Sequence, residues 1–183
     1  MIVTVLDTET TGIDVEQDKI IELAMSVYRK EEGGFRQVGK TWNPLIWTPR
    51  KIDPKAYAVH HISEKDLEGK PSFSEIAPRL IKILEKSDFV VAHNGHAFDL
   101  PMIVFNLMAD GFDVPQNFHA IDTMVDGRTT TALGKVPNLQ EFCWSMGVDY
   151  NPDLAHRADY DTEVLAQAFF KALDFGYLEL KAS

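Results

Sequence analysis

The sequence predicts an α/β chain with a mixed sheet flanked by helices, and two patterns carry that expectation. The first 43 residues hold three β-rich segments joined by short connections, which suits antiparallel pairing. From residue 54 onward, amphipathic runs of helical length alternate with short apolar segments, which adds strands to the sheet and helices to its faces. With 183 residues, 45% hydrophobic and 25% charged, the chain can bury a core, and disorder is not expected.

Each element has a local reason. Residues 2–8 are β-branched and apolar, residues 19–28 (KIIELAMSVY) are β-rich, and residues 35–43 form a third strand after the Gly33-Gly34 turn. Residues 54–60 predict a short helix, and residues 63–69 (SEKDLEG) another, with Ser63 as cap and Asp66 three residues on. Ser72 or Ser74 caps the amphipathic run EIAPRLIKILEKS, with Pro78 near its first turn. Residues 88–92 (DFVVA) form a short buried strand, residues 98–109 a helix stopped by Gly111, and residues 118–121 a further strand. Residues 138–146 and 160–175 close the chain as helices. With no repeat, low-complexity tract or Pro/Gly/Ser linker, the chain reads as one domain over residues 1–183.

Bulk properties narrow the function. A formal charge of −10 argues against a broad basic face for coating nucleic acid, but leaves room for an enzyme that holds a few nucleotides beside cations. No apolar run approaches the ~20 residues that span a bilayer, so no membrane role is expected. The N-terminus MIVTVLDTE lacks the basic region of a signal peptide. The single cysteine, Cys143, excludes an internal disulfide and a cysteine-rich zinc site, and fits a reducing, cytoplasmic setting.

The chemistry lies in acids at the ends of elements. Asp7 and Glu9 close the first strand two positions apart, so they share a face and repel unless something positive sits between them. Asp99 begins a helix after HNGHAF, and Asp161 lies in the first turn of the last helix, five residues after His156. Acids at helix N-termini also complement the helix dipole, so neither Asp99 nor Asp161 alone points to a site. Together, the four carboxylates and one histidine suit hard divalent cations. Two such ions ~3.5–4 Å apart activate a water and stabilise the leaving oxygen of a phosphodiester. A histidine can take the proton from that water. Arg50, Lys51 and Lys55 form the densest basic cluster, which suits phosphate contact as well as a solvated face.

The motifs DTETTG (7–12), VHHI (59–62), HNGHAFD (93–99) and HRADYD (156–161) stand in the order of the DnaQ-like, DEDD-type 3′→5′ exonucleases, which the chain resembles from residue 2 to about 173. The histidine five residues before Asp161 resembles the DEDDh branch; Arg157 occupies the tyrosine position of the DEDDy branch. The resemblance implies a ribonuclease H-like fold, with a mixed five-stranded sheet of three antiparallel strands followed by parallel ones. It implies two Mg²⁺ or Mn²⁺ ions held by Asp7, Glu9, Asp99 and Asp161, with His156 as general base and Glu9 sharing in catalysis. Thr10, Thr11, His60 and Ile62 would line the terminal nucleotide, and Asn94 and Phe98 the next. The implied substrate is a single-stranded or frayed DNA 3′ end, ahead of RNA, releasing nucleoside 5′-monophosphates. The implied partner is a DNA polymerase. Rival expectations are a 3′→5′ exoribonuclease acting on RNA ends or short oligoribonucleotides, and a catalytically weak polymerase-accessory binding module. HNGHAFD is one residue longer than the HNxxFD of proofreading subunits and looks more like exonuclease domains attached to polymerases.

Overall fold

The computed structural model describes residues 1–181. Its strands are β1 (Ile2–Thr10), β2 (Ile20–Glu31), β3 (Gly34–Gln37), β4 (Phe89–Ala92) and β5 (His119–Asp122). Its α-helices are α1 (Pro54–His60), α2 (Phe73–Leu84), α3 (Asp99–Ala109), α4 (Thr123–Asp126), α5 (Leu139–Ser145) and α6 (Ala158–Asp174). The sheet order is β3-β2-β1-β4-β5. β1, β2 and β3 pair antiparallel, and β4 and β5 run parallel to β1. The mixed five-stranded sheet is therefore as expected.

Side-chain alternation along β1 explains both cores. Val3 and Val5 face one side, against Phe142, Val164, Leu165 and Phe169 of α5 and α6. Leu6 faces the other, against Ile76 and Leu80 of α2 and Met102 of α3. Asp7 and Glu9 continue the Val3–Val5 row, so the stripe that is apolar under the body of α6 becomes acidic beyond it.

Several boundaries differ from expectation. The expected third strand at 35–43 ends at Gln37, because the chain turns at Gly39 (φ 76) and Pro44 has no N–H for a ladder. It returns to β2 only through the single bridges Met25–Trp42 and Glu22–Leu45. Residues 63–69 are not a helix. They form consecutive i→i+3 turns, such as Asp66 N to Ser63 O, that end at Gly69 (φ 72). Leu67 is the one fully buried apolar residue there, so no amphipathic face holds a longer helix. Ser72 caps α2, with the Glu75 carboxylate accepting from Ser72 N at 2.7 Å, so Pro78 falls in the second turn rather than the first. α4 and the short 3₁₀ turns Gly127–Thr130, Ala132–Gly134 and Pro152–Leu154 were not expected. Elements this short carry no readable periodicity. No described helix is long and apolar enough to cross a membrane.

Candidate active site

Carboxylate oxygens of Asp7, Glu9 and Asp161 all lie within 4.8 Å of one another. α6 brings Asp161 there because its apolar face docks on the Val3–Val5 side of β1, which leaves its first turn over Asp7 and Glu9. Asp99, at the start of α3, is buried; its Oδ1 accepts a hydrogen bond from Thr8 Oγ1 at 2.7 Å. Among the described residues, the charged groups that act most strongly on Asp7 and Glu9 are other carboxylates. Burial, reinforced by repulsion first from Asp99, holds Asp7 well above the usual carboxylate range. Burial and Glu22 push Glu9 up to about 9, and burial pushes Asp99 and Asp161 each up to about 6.

His156 stands at the rim. It takes a left-handed backbone (φ 61), held by its N–H donating to Asp161 Oδ2 at 2.7 Å, and its side chain is exposed. The other oxygen of Asp161 is buried without a hydrogen-bond partner among the described residues. The donor set is all carboxylate oxygen, and one of its members, Asp161, carries this unsatisfied buried atom. Both features fit a hard divalent cation.

A recess of about 280 Å³ opens beside Glu9 and is lined by Thr10, Ile13, Val59, His60 and Phe98 among others. His60 is fixed as its wall. Ile62 N–H donates to Nδ1 at 3.0 Å, so the ring proton sits on Nε2 and reaches Thr10 O at 3.2 Å. Both ring nitrogens are therefore spent inside the protein, and burial lowers the His60 pKa. Of the other residues expected at a substrate, Thr11 is fully buried, donating to Asp18 Oδ1 at 2.9 Å and accepting from Lys19 N at 3.0 Å. Ile62 packs against Ile21, Ile52 and Leu67.

Residues 4–169 match the family model whose description is Exonuclease (RNase_T). The chain belongs to this exonuclease family. A PolC-type DNA polymerase III of Ureaplasma parvum is 32% identical over 167 residues, a match covering 90% of this chain and 11% of that protein. The DNA polymerase III epsilon subunit of Escherichia coli is 29% identical over 173 residues, covering 90% of this chain and 68% of that one. The exonuclease thus spans about a tenth of its PolC-type relative and about two thirds of the epsilon subunit. The fold matches that of E. coli exonuclease I in complex with a dA16 oligonucleotide, with a TM-score of 0.80 at 13% identity, covering 94% of this chain and 41% of that one. The fold is ribonuclease H-like, and the exonuclease is a DnaQ-like hydrolase.

The long loop HNGHAFD of the exonuclease is a hydrogen-bonded turn. Asn94 (φ 65) accepts from Ala97 N at 3.2 Å and Phe98 N at 3.1 Å, which takes up the extra residue and delivers Asp99 to the start of α3. Asp122, at the end of β5, clamps the turn by accepting from Asn94 N at 2.9 Å and His96 N at 3.1 Å. Gly95 lies so close to β4 that an added Cβ would fall 2.5 Å from Ala92 Cβ. Gly95→Ala is expected to lower stability by roughly 1–3 kcal/mol through overpacking, read as a lower urea midpoint at unchanged m-value. His93 is structural: its Nδ1 meets Thr123 Oγ1 at 3.0 Å, and burial lowers its pKa to about 4. Cys143 is fully buried and its thiol is pushed up to about 12, which makes it inert. Asp122 and Glu22 were not foreseen. Their only signal is a lone acid at the end of a strand (HAID) and a lone acid inside an apolar run (IIELAM).

Proposed function

We propose that residues 1–183 form a single exonuclease domain that removes nucleoside 5′-monophosphates from the 3′ end of single-stranded or frayed DNA. The observation that carries this reading is the convergence of Asp7, Glu9 and Asp161 within 4.8 Å. Asp99 acts on Asp7, and among the described residues the leading electrostatic influences on Asp7 and Glu9 are all carboxylates. These four acids would hold two Mg²⁺ or Mn²⁺ ions. Such a pair supplies water activation and stabilisation of the departing 3′ oxygen. The chain's own residues do the rest. His156 takes the proton of the attacking water from the open rim, and Glu9 orients the reacting end. Thr8 holds Asp99 in one rotamer through its 2.7 Å hydrogen bond. Thr10, His60 and Phe98 wall the terminal nucleotide, while Asn94 serves through its turn and Thr11 and Ile62 through packing.

DNA as substrate is supported by the relation to DNA polymerase III subunits and by the shared fold with an oligonucleotide-bound exonuclease I. The same relatives make a DNA polymerase the proposed partner, in a cytoplasmic setting. The test is release of labelled mononucleotide from a 3′-labelled single strand with Mg²⁺ or Mn²⁺, beside matched 5′-labelled and RNA strands. Asp7→Ala is expected to abolish release. Equal rates for wild type and Asp7→Ala would refute the reading, and faster RNA hydrolysis would reassign the substrate.

A smaller effect is expected at Thr8. Thr8→Val keeps the shape and removes the hydroxyl, leaving one oxygen of buried Asp99 without its donor. A net loss of about 1–3 kcal/mol in stability and weaker cation binding should follow, measured by thermal melts with and without Mn²⁺.

A further inference from the structure

Glu22 is a buried carboxylate outside the metal-site set, and it touches the segment that carries His156 and Asp161. It lies directly opposite Glu9 in the β1–β2 ladder and is 7% exposed. Both oxygens are committed. Oε1 accepts from Asn43 Nδ2 at 2.9 Å, and Oε2 accepts from the backbone N–H of Ala158 at 3.3 Å. Ala158 is the first residue of α6, where the N–H groups have no partner within the helix. The residue at the capping position is Arg157, whose side chain cannot accept and makes no cap hydrogen bond. A carboxylate from β2, 136 residues away, stands in for the missing cap. Its charge also suits the positive end of the helix.

We propose that Glu22 is a positioning residue of the nuclease reaction: by capping α6 from β2 it fixes where His156 and Asp161 meet Asp7 and Glu9. The inference rests on the proposed catalytic role of His156. Its geometry is direct. Asp161 and Ala158 share the first turn of α6, Asp161 N donates to Arg157 O at 2.9 Å, and His156 N donates to Asp161 Oδ2. Fixing Ala158 therefore fixes all three. Were burial of a charge the only outcome, an apolar residue would serve β2 better, as its neighbours Ile20, Ile21 and Leu23 do.

The test is a set of variants assayed for kcat, KM and a cation-dependent melting shift. Glu22→Ala is expected to lower kcat by about tenfold or more with KM within about twofold. Glu22→Gln, which keeps an oxygen for Ala158 N–H, should return kcat to within about threefold of wild type. In a His156→Ala background, Glu22→Ala should cost less than it does in the wild-type enzyme, because part of its effect passes through His156. If Glu22→Ala does not fold, Ala158→Pro carries the same test. It deletes the donor at a helix position that favours proline, after an already extended Arg157 (φ −119). Unchanged kcat in Glu22→Ala, failure of rescue by Glu22→Gln, or full additivity with His156→Ala overturns the proposal while leaving the functional reading in place. A His156→Ala enzyme as active as wild type instead removes the reading on which it rests.

Discussion

Stripped of divalent cations, the protein should lose thermal stability as pH rises from about 6.5 to about 9, and Mn²⁺ should restore it most at the upper end. The sign follows from the site's carboxylates. In this window the fall comes from Glu9, at about 9, and Asp7, well above the ordinary range; Asp99 and Asp161, at about 6, have lost their contribution by its lower edge. A group whose folded pKa is raised contributes stability that is complete below its unfolded pKa, about 4 for these acids. That contribution is lost as pH climbs through the folded value. Each pKa unit corresponds to about 1.4 kcal/mol, but the groups share one field and do not add, so a fall on the order of a few kcal/mol is expected. For a chain of this size that is about 2–4 °C per kcal/mol. His60 and His93 work the other way. Their lowered pKa values contribute stability present above about 6.5 and lost as pH falls below it. The window above pH 6.5 therefore isolates the acids. A cation takes the place of the protons, and at a concentration of 100 Kd adds about 2.7 kcal/mol. The measurement is a melt series in chelator and in Mn²⁺. A flat apo profile, or a Mn²⁺ shift as large at pH 5 as at pH 8, would contradict the account.

Asp161→Asn should silence the enzyme more completely than His156→Ala. Removing His156 deletes a proton acceptor, which is worth about 10²–10⁴ in turnover. The carboxylates remain, so the Mn²⁺-induced melting shift should survive in that variant. Asp161 serves two needs at once. Its Oδ2 fixes the left-handed His156 through a 2.7 Å hydrogen bond, and its carboxylate also joins Asp7 and Glu9 within 4.8 Å. Asparagine keeps the volume but removes the charge from the cluster and places an NH₂ in it or against His156 N–H. A loss of roughly 10³-fold or more, with the Mn²⁺ shift reduced, is the expected result under single-turnover conditions. If His156→Ala lost the metal shift and Asp161→Asn kept it, the two roles would be exchanged.

What the sequence made legible was chemistry at element ends. Asp7, Glu9, Asp99 and Asp161 sit where strands stop or helices start, and the three-dimensional fold gathers them from β1, α3 and α6. What stayed hidden was the supporting frame. Glu22 sits in an apolar strand and looks like an ordinary ladder position until its partner, 136 residues later, is seen. Asp122 has the same problem: besides capping α4 through Met124 N and Val125 N, it accepts from Asn94 N and His96 N, and no local pattern announces those two partners. Thr10 and Thr11 were expected to line the terminal nucleotide; their hydroxyls are engaged within the protein, Thr10 donating to Gly12 O at 2.6 Å and Thr11 to Asp18 Oδ1, since buried polar groups need partners. The third strand was overextended because β propensity continues past Gly39, where the backbone does not.

The contacts that assemble the site join segments far apart in the chain: Thr8 with Asp99, Asn94 with Asp122, and Glu22 with Ala158. During synthesis Asp7 and Glu9 emerge well before Asp161. Closure of long loops is slow and comes late in folding. The capacity to cut is therefore withheld until α6 docks across β1 and β2. A molecule trapped before that event carries most of the acids without the assembled site, which is a useful property in a nuclease.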